Sequence, residues 1–261
     1  MSAVIRAMET MPLRRVIGAY TTETRCEFLR MLRDAAFALP IVIVPLAAYM
    51  LFGVAIASDA IAKDPFVADY LFSGFSVMAI SGAALFGVGC TLALERDAGL
   101  MQLRRAQPAP TGSWLVAKML VALAFATLAY APVLIAAIMV GKLTMDAVEL
   151  ASMSVVFLAG VLPFTALGLL IGALVSGSAA PAYTNLIYLP MIWLSGMFFP
   201  LPKILHAQTV IWPAFHLNQV ALSVAGIDKF EFIPVQLAIG VLAGVTVLCS
   251  SLAVWRLARK G

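Results

Sequence analysis

The sequence predicts an all-α integral membrane protein with six transmembrane helices and both termini in the cytoplasm. Three observations predict it. The chain is 63% hydrophobic, only 11% charged and has a mean hydropathy of +1.02, whereas ordinary soluble domains carry roughly 25% charged residues. A soluble fold of this composition would expose large apolar patches, so lipid is the better solvent for its surface. Six apolar segments reach the roughly 20 residues needed to cross about 30 Å of hydrocarbon. Basic residues, finally, fall on one side of those segments.

The segments are 38–58, 68–94, 115–140, 149–175, 181–200 and 234–255. The charge-free stretch from Leu150 to Pro202 is too long for one crossing, and "SGSAAP" (Ser176 to Pro181) divides it as a tight turn. With both ends inside, Arg6, Arg14, Arg15, Arg25, Arg30, Arg33, Arg96, Arg104, Arg105, Lys118, Arg256, Arg259 and Lys260 are cytoplasmic, 13 of the 17 basic residues. Lys63, Lys142, Lys203 and Lys229 are outside. Trp114 and Trp255 sit at the inner edge, Trp193 and Trp212 toward the outer one, as interfacial aromatics do. The chain reads as a single transmembrane domain over 1–261. Its parts are a cytoplasmic N-terminus and connecting helix (1–37), the six-span region (38–255) and a short tail (256–261).

Ahead of the first span, "TTETRCEFLRMLRDAAFAL" (Thr21 to Leu39) is amphipathic. Phe28, Leu29, Met31, Leu32, Ala35 and Ala36 share one arc of a helical wheel, and Glu23, Glu27, Arg30, Arg33 and Asp34 the opposite one. Arg25 falls in the apolar arc and has to snorkel. Such a helix lies in the inner interface with its apolar side in the acyl boundary. It serves either as a plain anchor or as an anchor that also touches a cytoplasmic partner.

Between spans two and three lies "LERDAGLMQLRRAQPAPTGSW" (Leu94 to Trp114). Gly99 interrupts the helix leaving the membrane, and "LMQLRRA" makes about two turns before Pro108 and Pro110 stop it. Leu100 and Leu103 form a small apolar face, while Arg104 and Arg105 suit the C-terminal end of the helix dipole. The form is that of a docking element, although a positive-inside loop alone would also look this way. After span five, "FFPLPKILHAQTVIWPAFHLNQVALSVAGID" (Phe198 to Asp228) is apolar but broken by Pro200, Pro202 and Pro213. It predicts helices too short to span.

Several chemistries are excluded. No charged side chain falls in the middle of a span, and ion-coupled carriers usually need one there. There is no G-x-x-x-x-G-K-[ST] sequence, so the chain does not hydrolyse ATP alone, and no G-x-S-x-G or H-E-x-x-H. Cys26, Cys90 and Cys249 have no metal-ligand spacing, and His206 and His216 lack acidic company. The basic balance of +4 reports orientation rather than nucleic-acid binding. Two stripes have the form of a pathway lining or of a helix-packing face. One comprises Ser73, Ser76, Ala83, Ala84, Gly87 and Thr91 in span two; the other comprises Thr184, Asn185, Tyr188, Ile192, Ser195 and Phe199 in span five.

Three of these segments carry a resemblance. "ETRCEFLRMLRDAAFALP" resembles the N-terminal connecting helix of type-2 ABC exporter permeases. "LERDAGLMQLRRAQPAP…W" is similar to their coupling loop, usually an E-R-x-x-G-T-L-x-x-L-R-x-x-P-like run, and "LPMIWLSGMFFPLPKI…WPAFHLNQVAL" to their fifth span and external helices. Met101 and Gln102 depart from the small or acidic residues common in the family, so no partner contact is carried onto them.

The resemblance implies a half-transporter of the bacterial inner membrane: two copies pair as a homodimer, and each docks one separate ATPase subunit. This chain then holds no cofactor, ATP and Mg belonging to the partner. Glu95, Arg96, Leu100, Leu103, Arg104 and Arg105 of the loop, with Glu27 and Arg30 of the connecting helix, receive the ATPase motion. Ser73, Ser76, Thr91, Thr184, Asn185, Tyr188, Ser195 and Phe199 of spans two and five line the pathway. The expected function is export of an amphipathic substrate such as a drug, lipid or lipopeptide. A lipid-linked glycan, or a scaffold that recruits an ATPase without transport, are the alternatives.

Overall fold

In a computed structural model the described residues are 12–106, 110, 112–199, 203–230 and 232–260. Among them the chain is helical with no strand. Helix α1 (Leu13–Arg33) begins eight residues before the amphipathic stretch and ends at Asp34, whose φ of −82° and ψ of 88° turn the chain. Helix α2 (Ala35–Ala48) contains Pro40 and Pro45, each removing a backbone donor, and widens into a π-helical stretch over Tyr49–Ile56. A short helix α3 (Ser58–Lys63) leads to the central element, α4 (Phe66–Asp97). Its 32 residues make a rod about 48 Å long. Phe72, Ile80, Leu85 and Leu92 on it are fully enclosed by other helices.

Helix α5 (Leu100–Ala106) follows directly, and the break before it falls where the sequence places it, at Gly99 with φ +72°. Helix α6 (Ser113–Val140) is ended by Gly141 in the left-handed conformation. Helix α7 (Ala147–Ala159) starts with a capping box. The Asp146 carboxylate accepts from the Val148 and Glu149 amides at 2.8 Å each, and Glu149 accepts from the Asp146 amide at 2.8 Å. Helix α8 (Val161–Leu174) continues from α7 beyond a bend at Gly160, where a Cβ would meet the Leu217 side chain at 2.5 Å. Helix α9 (Ala180–Leu194), two short helices α10 (His206–Thr209) and α11 (Pro213–Val224), and the long α12 (Val235–Lys260) complete the bundle.

Helices α4 and α8 pack backbone to backbone. A Cβ on Gly172 would lie 2.7 Å from the Gly89 carbonyl oxygen and one on Gly168 3.0 Å from that of Leu85. Small residues permit this approach, which in lipid replaces the hydrophobic drive that water supplies to soluble bundles.

Among the described residues, five helices are long and apolar enough to cross a membrane: Ala35–Ile56, Phe66–Asp97, Ser113–Val140, Ala147–Leu174 and Val235–Arg259. The expected span 181–200 differs. Its helix stops at Leu194 after 15 residues, about 22 Å of rise, because the chain turns through Ser195 and Gly196, the latter at φ +69°. The orientation of α1 also departs from the wheel. Phe28 packs on Phe125 of α6 and Met31 is buried toward Gly87 of α4, as expected of the apolar arc, but Glu27 from the polar arc is also buried and Leu32 is 46% exposed. The inward face is therefore rotated toward Glu27, which finds charged partners inside.

Candidate functional site

Lys118 lies one turn into α6 and is 2% exposed. A buried ammonium needs anionic partners, since an isolated charge in such surroundings is very costly. It has two. Its Nζ donates to Glu95 Oε1 at 2.8 Å and to Glu27 Oε1. A third bond, at 3.2 Å, goes to Thr91 Oγ1, one turn before Glu95 on α4. The two carboxylates are buried and would be costly without this cation.

Arginines surround the same acids. Arg30 Nη2 lies 2.9 Å from Glu27 Oε1 and 2.5 Å from Glu95 Oε1. Arg104 of α5 pairs with Glu23 of α1 and approaches Glu95 Oε2 to 4.0 Å. Trp114 Nε1, at the start of α6, lies 3.4 Å from that same oxygen. Three carboxylates and three cations thus join α1, α4, α5 and α6 in one charge-balanced network. Because Arg104 of α5 faces both Glu23 of α1 and Glu95 of α4, displacement of α5 changes the pairing on α1 and α4 together.

The next residues of α4 hold the other side of this end. Arg96 donates to the Gly172 and Val175 carbonyls at 3.0 and 2.7 Å, satisfying orphan acceptors at the C-terminus of α8. Asp97 accepts from the Gly177 amide at 2.7 Å. The turn between α8 and α9 is thereby tied to the α4–α5 junction. On α5 itself Leu100 and Leu103 are exposed, Leu103 by 61%, so the small apolar edge has no cover among the described residues. The Arg105 side chain and Pro108 lie outside the described residues.

The structure thus brings Glu27, Arg30, Glu95 and Arg104 together, with Arg96 adjacent. The sequence marks Lys118 only as a cytoplasmic charge. Its signal was a lysine four residues after Trp114 on the way into an apolar run, a position that demands a buried partner.

The two small-residue stripes are placed differently. Ser73 bonds Asn218 of α11 at 2.5 Å, Ser76 donates to the Phe72 carbonyl at 2.7 Å, and Thr91 belongs to the charged network. Thr184 is buried, and Tyr188 donates to the Met78 carbonyl at 2.9 Å with its ring edge-on to Phe86. Asn185, the next residue of α9, is exposed. Ser195, bonded to the Met191 carbonyl, and the half-exposed Phe199 line a cavity of about 880 Å³ at the far end of α4 from Glu95. Among the described residues no group of three or more His, Cys, Asp or Glu side chains is placed to hold a metal ion.

Residues 19–232, from within α1 to the segment before α12, match the family described as ABC-2 type transporter. The chain belongs to the ABC-2 type transporter family. It is also similar to the protein named "Putative transport permease YvfS" from Bacillus subtilis (strain 168), with 25% identity over 198 residues, 75% of this chain and 80% of that protein. The chain is therefore a transporter membrane subunit, and ABC-2 permeases normally work with an ATPase partner. In this ABC-2 permease the matched region contains the whole charged network.

Proposed function

We propose that this permease is the membrane subunit of an ATP-driven exporter of an amphipathic substrate, working as two copies with two copies of a separate ATPase in the bacterial inner membrane. The network of Glu23, Glu27, Arg30, Glu95, Arg104 and Lys118 carries this reading. It makes α5 the part that a cytoplasmic motor grips, through the exposed edge of Leu100 and Leu103, and α1 and α4 the parts that move with it. The positive-inside distribution puts this end and both termini in the cytoplasm. The short α9 then serves as the sixth crossing, its depth completed by the turn 195–199. The export direction follows the family resemblance, and the amphipathic substrate follows from a bundle whose cavity walls are apolar. ATP and Mg are held by the ATPase; this chain contributes no catalytic group.

The test is charge reversal at the handle. In the reconstituted complex, Arg104→Glu with Arg105→Glu sets Arg104→Glu against Glu23 and lowers ATP-dependent export of a fluorescent amphiphile at least about tenfold, a coupling loss of roughly 1.4 kcal/mol. Basal hydrolysis and membrane insertion persist. Adding Glu23→Arg restores part of the export. Normal export together with normal substrate-stimulated hydrolysis in the double reversal would remove the coupling role from α5.

A further inference from the structure

At the end of α4 remote from the charged network, the end of the π-helical stretch, the first turns of α4, the turn after α9 and the segment before α12 enclose the cavity of about 880 Å³. Tyr70 and Glu95 are 25 residues apart on α4, about 37 Å of helix rise, so the cavity and the motor-facing network occupy opposite membrane faces. The volume suits a ligand of drug or lipid-chain size. Of its 18 lining residues only Tyr70, Ser195 and Thr209 have polar side chains, and none is charged. Two of those hydroxyls are committed to backbone: Tyr70 to the Gly196 carbonyl and Ser195 to that of Met191. A sugar or a charged solute would forfeit its hydration here with little in return.

The depth and the rim differ. Phe75, Phe198 and Phe215 form a buried aromatic wall, with Phe75 and Phe198 stacked at 4.5 Å between ring centroids. Ile56, Phe199 and Phe232 at the rim are half or more exposed, so the apolar interior is continuous with apolar surface. Beside it, Lys229 lies 6.0 Å from the ring of Phe230, which lines the cavity, and pairs with Asp64. Apolar depth, apolar rim and an adjacent exposed charge pair are the parts that an amphiphile needs, tail inside and head at the water boundary.

We propose that this cavity holds one acyl chain of the exported amphiphile within a single subunit, on the outer half of the membrane, with the head group at the Lys229–Asp64 pair. The assignment rests on the export reading above and narrows its substrate to a molecule bearing a hydrocarbon tail.

The experiment reconstitutes the full chain in palmitoyl-oleoyl phosphatidylcholine and phosphatidylglycerol vesicles containing lysophosphatidylcholine with a diazirine at the end of its acyl chain. Illumination and peptide mapping then locate the adducts. The expected adducts concentrate on Phe75, Phe198 and Phe215. Ala60→Trp fills the cavity from an exposed lining position and lowers their yield about tenfold, the equivalent of roughly two methylenes of lost burial. Val247→Trp, exposed on α12, leaves the yield unchanged.

In the complete complex Ala60→Trp also lowers export of an acyl-bearing reporter while basal ATP hydrolysis continues. Adducts spread over the exposed faces of α2 and α12 would overturn the assignment. So would unchanged labelling in Ala60→Trp, or pocket labelling without any effect on reporter export. The labelling needs no ATPase, so a failed pocket and a failed export reading are separable: the first loses the adducts, the second loses the Arg104 effect while the adducts remain.

Discussion

Lys118→Met is the sharpest probe of the charged network, because it removes a cation that two buried carboxylates share while nearly conserving the side chain's length. Glu95 is 1% exposed and Glu27 5%. Breaking a buried ion pair from one side typically costs about 3–5 kcal/mol. Arg30 stays 2.5 Å from Glu95 and 2.9 Å from Glu27, but its own side chain is 44% exposed, so it compensates only in part. The expected loss is therefore near the lower limit, about 3 kcal/mol, or roughly a hundredfold in the unfolding equilibrium.

Equilibrium unfolding in mixed detergent micelles, followed by tryptophan fluorescence, measures it. Glu95→Gln added to Lys118→Met removes one charge of each sign and restores balance, so the double variant should be more stable than the sum of the singles by about 1–2 kcal/mol. Strict additivity, or a loss below about 0.5 kcal/mol for Lys118→Met, would show that the lysine is not energetically tied to these acids and would undo the coupling argument built on it.

Other sites give independent tests. Gly172→Val places side-chain atoms where even a Cβ comes within 2.7 Å of the Gly89 carbonyl, so α4 and α8 must separate; a loss of about 2–3 kcal/mol and faster hydrogen exchange in α8 are expected, whereas full stability would mean that the crossing is loose. His216 on α11 uses Nε2 against the Val210 carbonyl at 2.7 Å, and its Nδ1 is buried with no partner among the described residues. Burial holds its pKa below the ordinary 6.5, against the smaller opposing effect of the Val210 bond. The folded state therefore prefers the neutral ring, and its advantage is complete above the unfolded pKa and lost as the pH falls below about 6.5. Amide protection in α11 should decline with acidification in the wild type and not in His216→Gln; the same decline in both would assign it to other groups.

Much of this architecture is legible in the sequence because lipid imposes a coarse rule on each element. Hydropathy finds the boundaries of α4 and α6, Gly99 marks the break before α5, and Ser176 to Pro181 mark the turn before α9. What hydropathy cannot supply is the azimuth of a helix. Glu27 looks solvent-facing on a wheel, yet it turns inward because Lys118, 91 residues away in sequence, is the partner that makes its burial tolerable. The short α9 escaped for a related reason. Its apolar run continues to Phe199, but the left-handed Gly196 ends the helix early, and Tyr70 of α4 bonds the Gly196 carbonyl to hold the turn. Thr184 and Asn185 show the same dependence on azimuth: they share one arc of the wheel, yet Thr184 is buried and Asn185 exposed.

The physical link between the two ends of the molecule is α4. Its C-terminal end holds Thr91, Glu95, Arg96 and Asp97 in ion pairs and carbonyl caps, and its N-terminal end offers Tyr70, Leu71 and Phe75 to the cavity. Between them its polar side chains are turned to short-range backbone bonds, Ser76 to Phe72 and Ser81 to Val77, and its glycines admit close neighbours, Gly89 the α8 backbone and Gly82 the Tyr188 hydroxyl of α9. A rod so held shifts as a unit along or about its axis. A displacement imposed at Glu95 must therefore appear near Tyr70, where the Tyr70–Gly196 bond and the Phe75–Phe198 stack set how the cavity wall meets the turn after α9. On the proposed function, coupling at one end and substrate release at the other become two readouts of a single helix. Gly82→Leu, which would strike the Tyr188 hydroxyl 2.9 Å from the added Cβ midway along that helix, should then lower export while leaving both the Lys118 pairing and pocket labelling in place. Loss of either end's signature along with export would show that α4 does not move as one body.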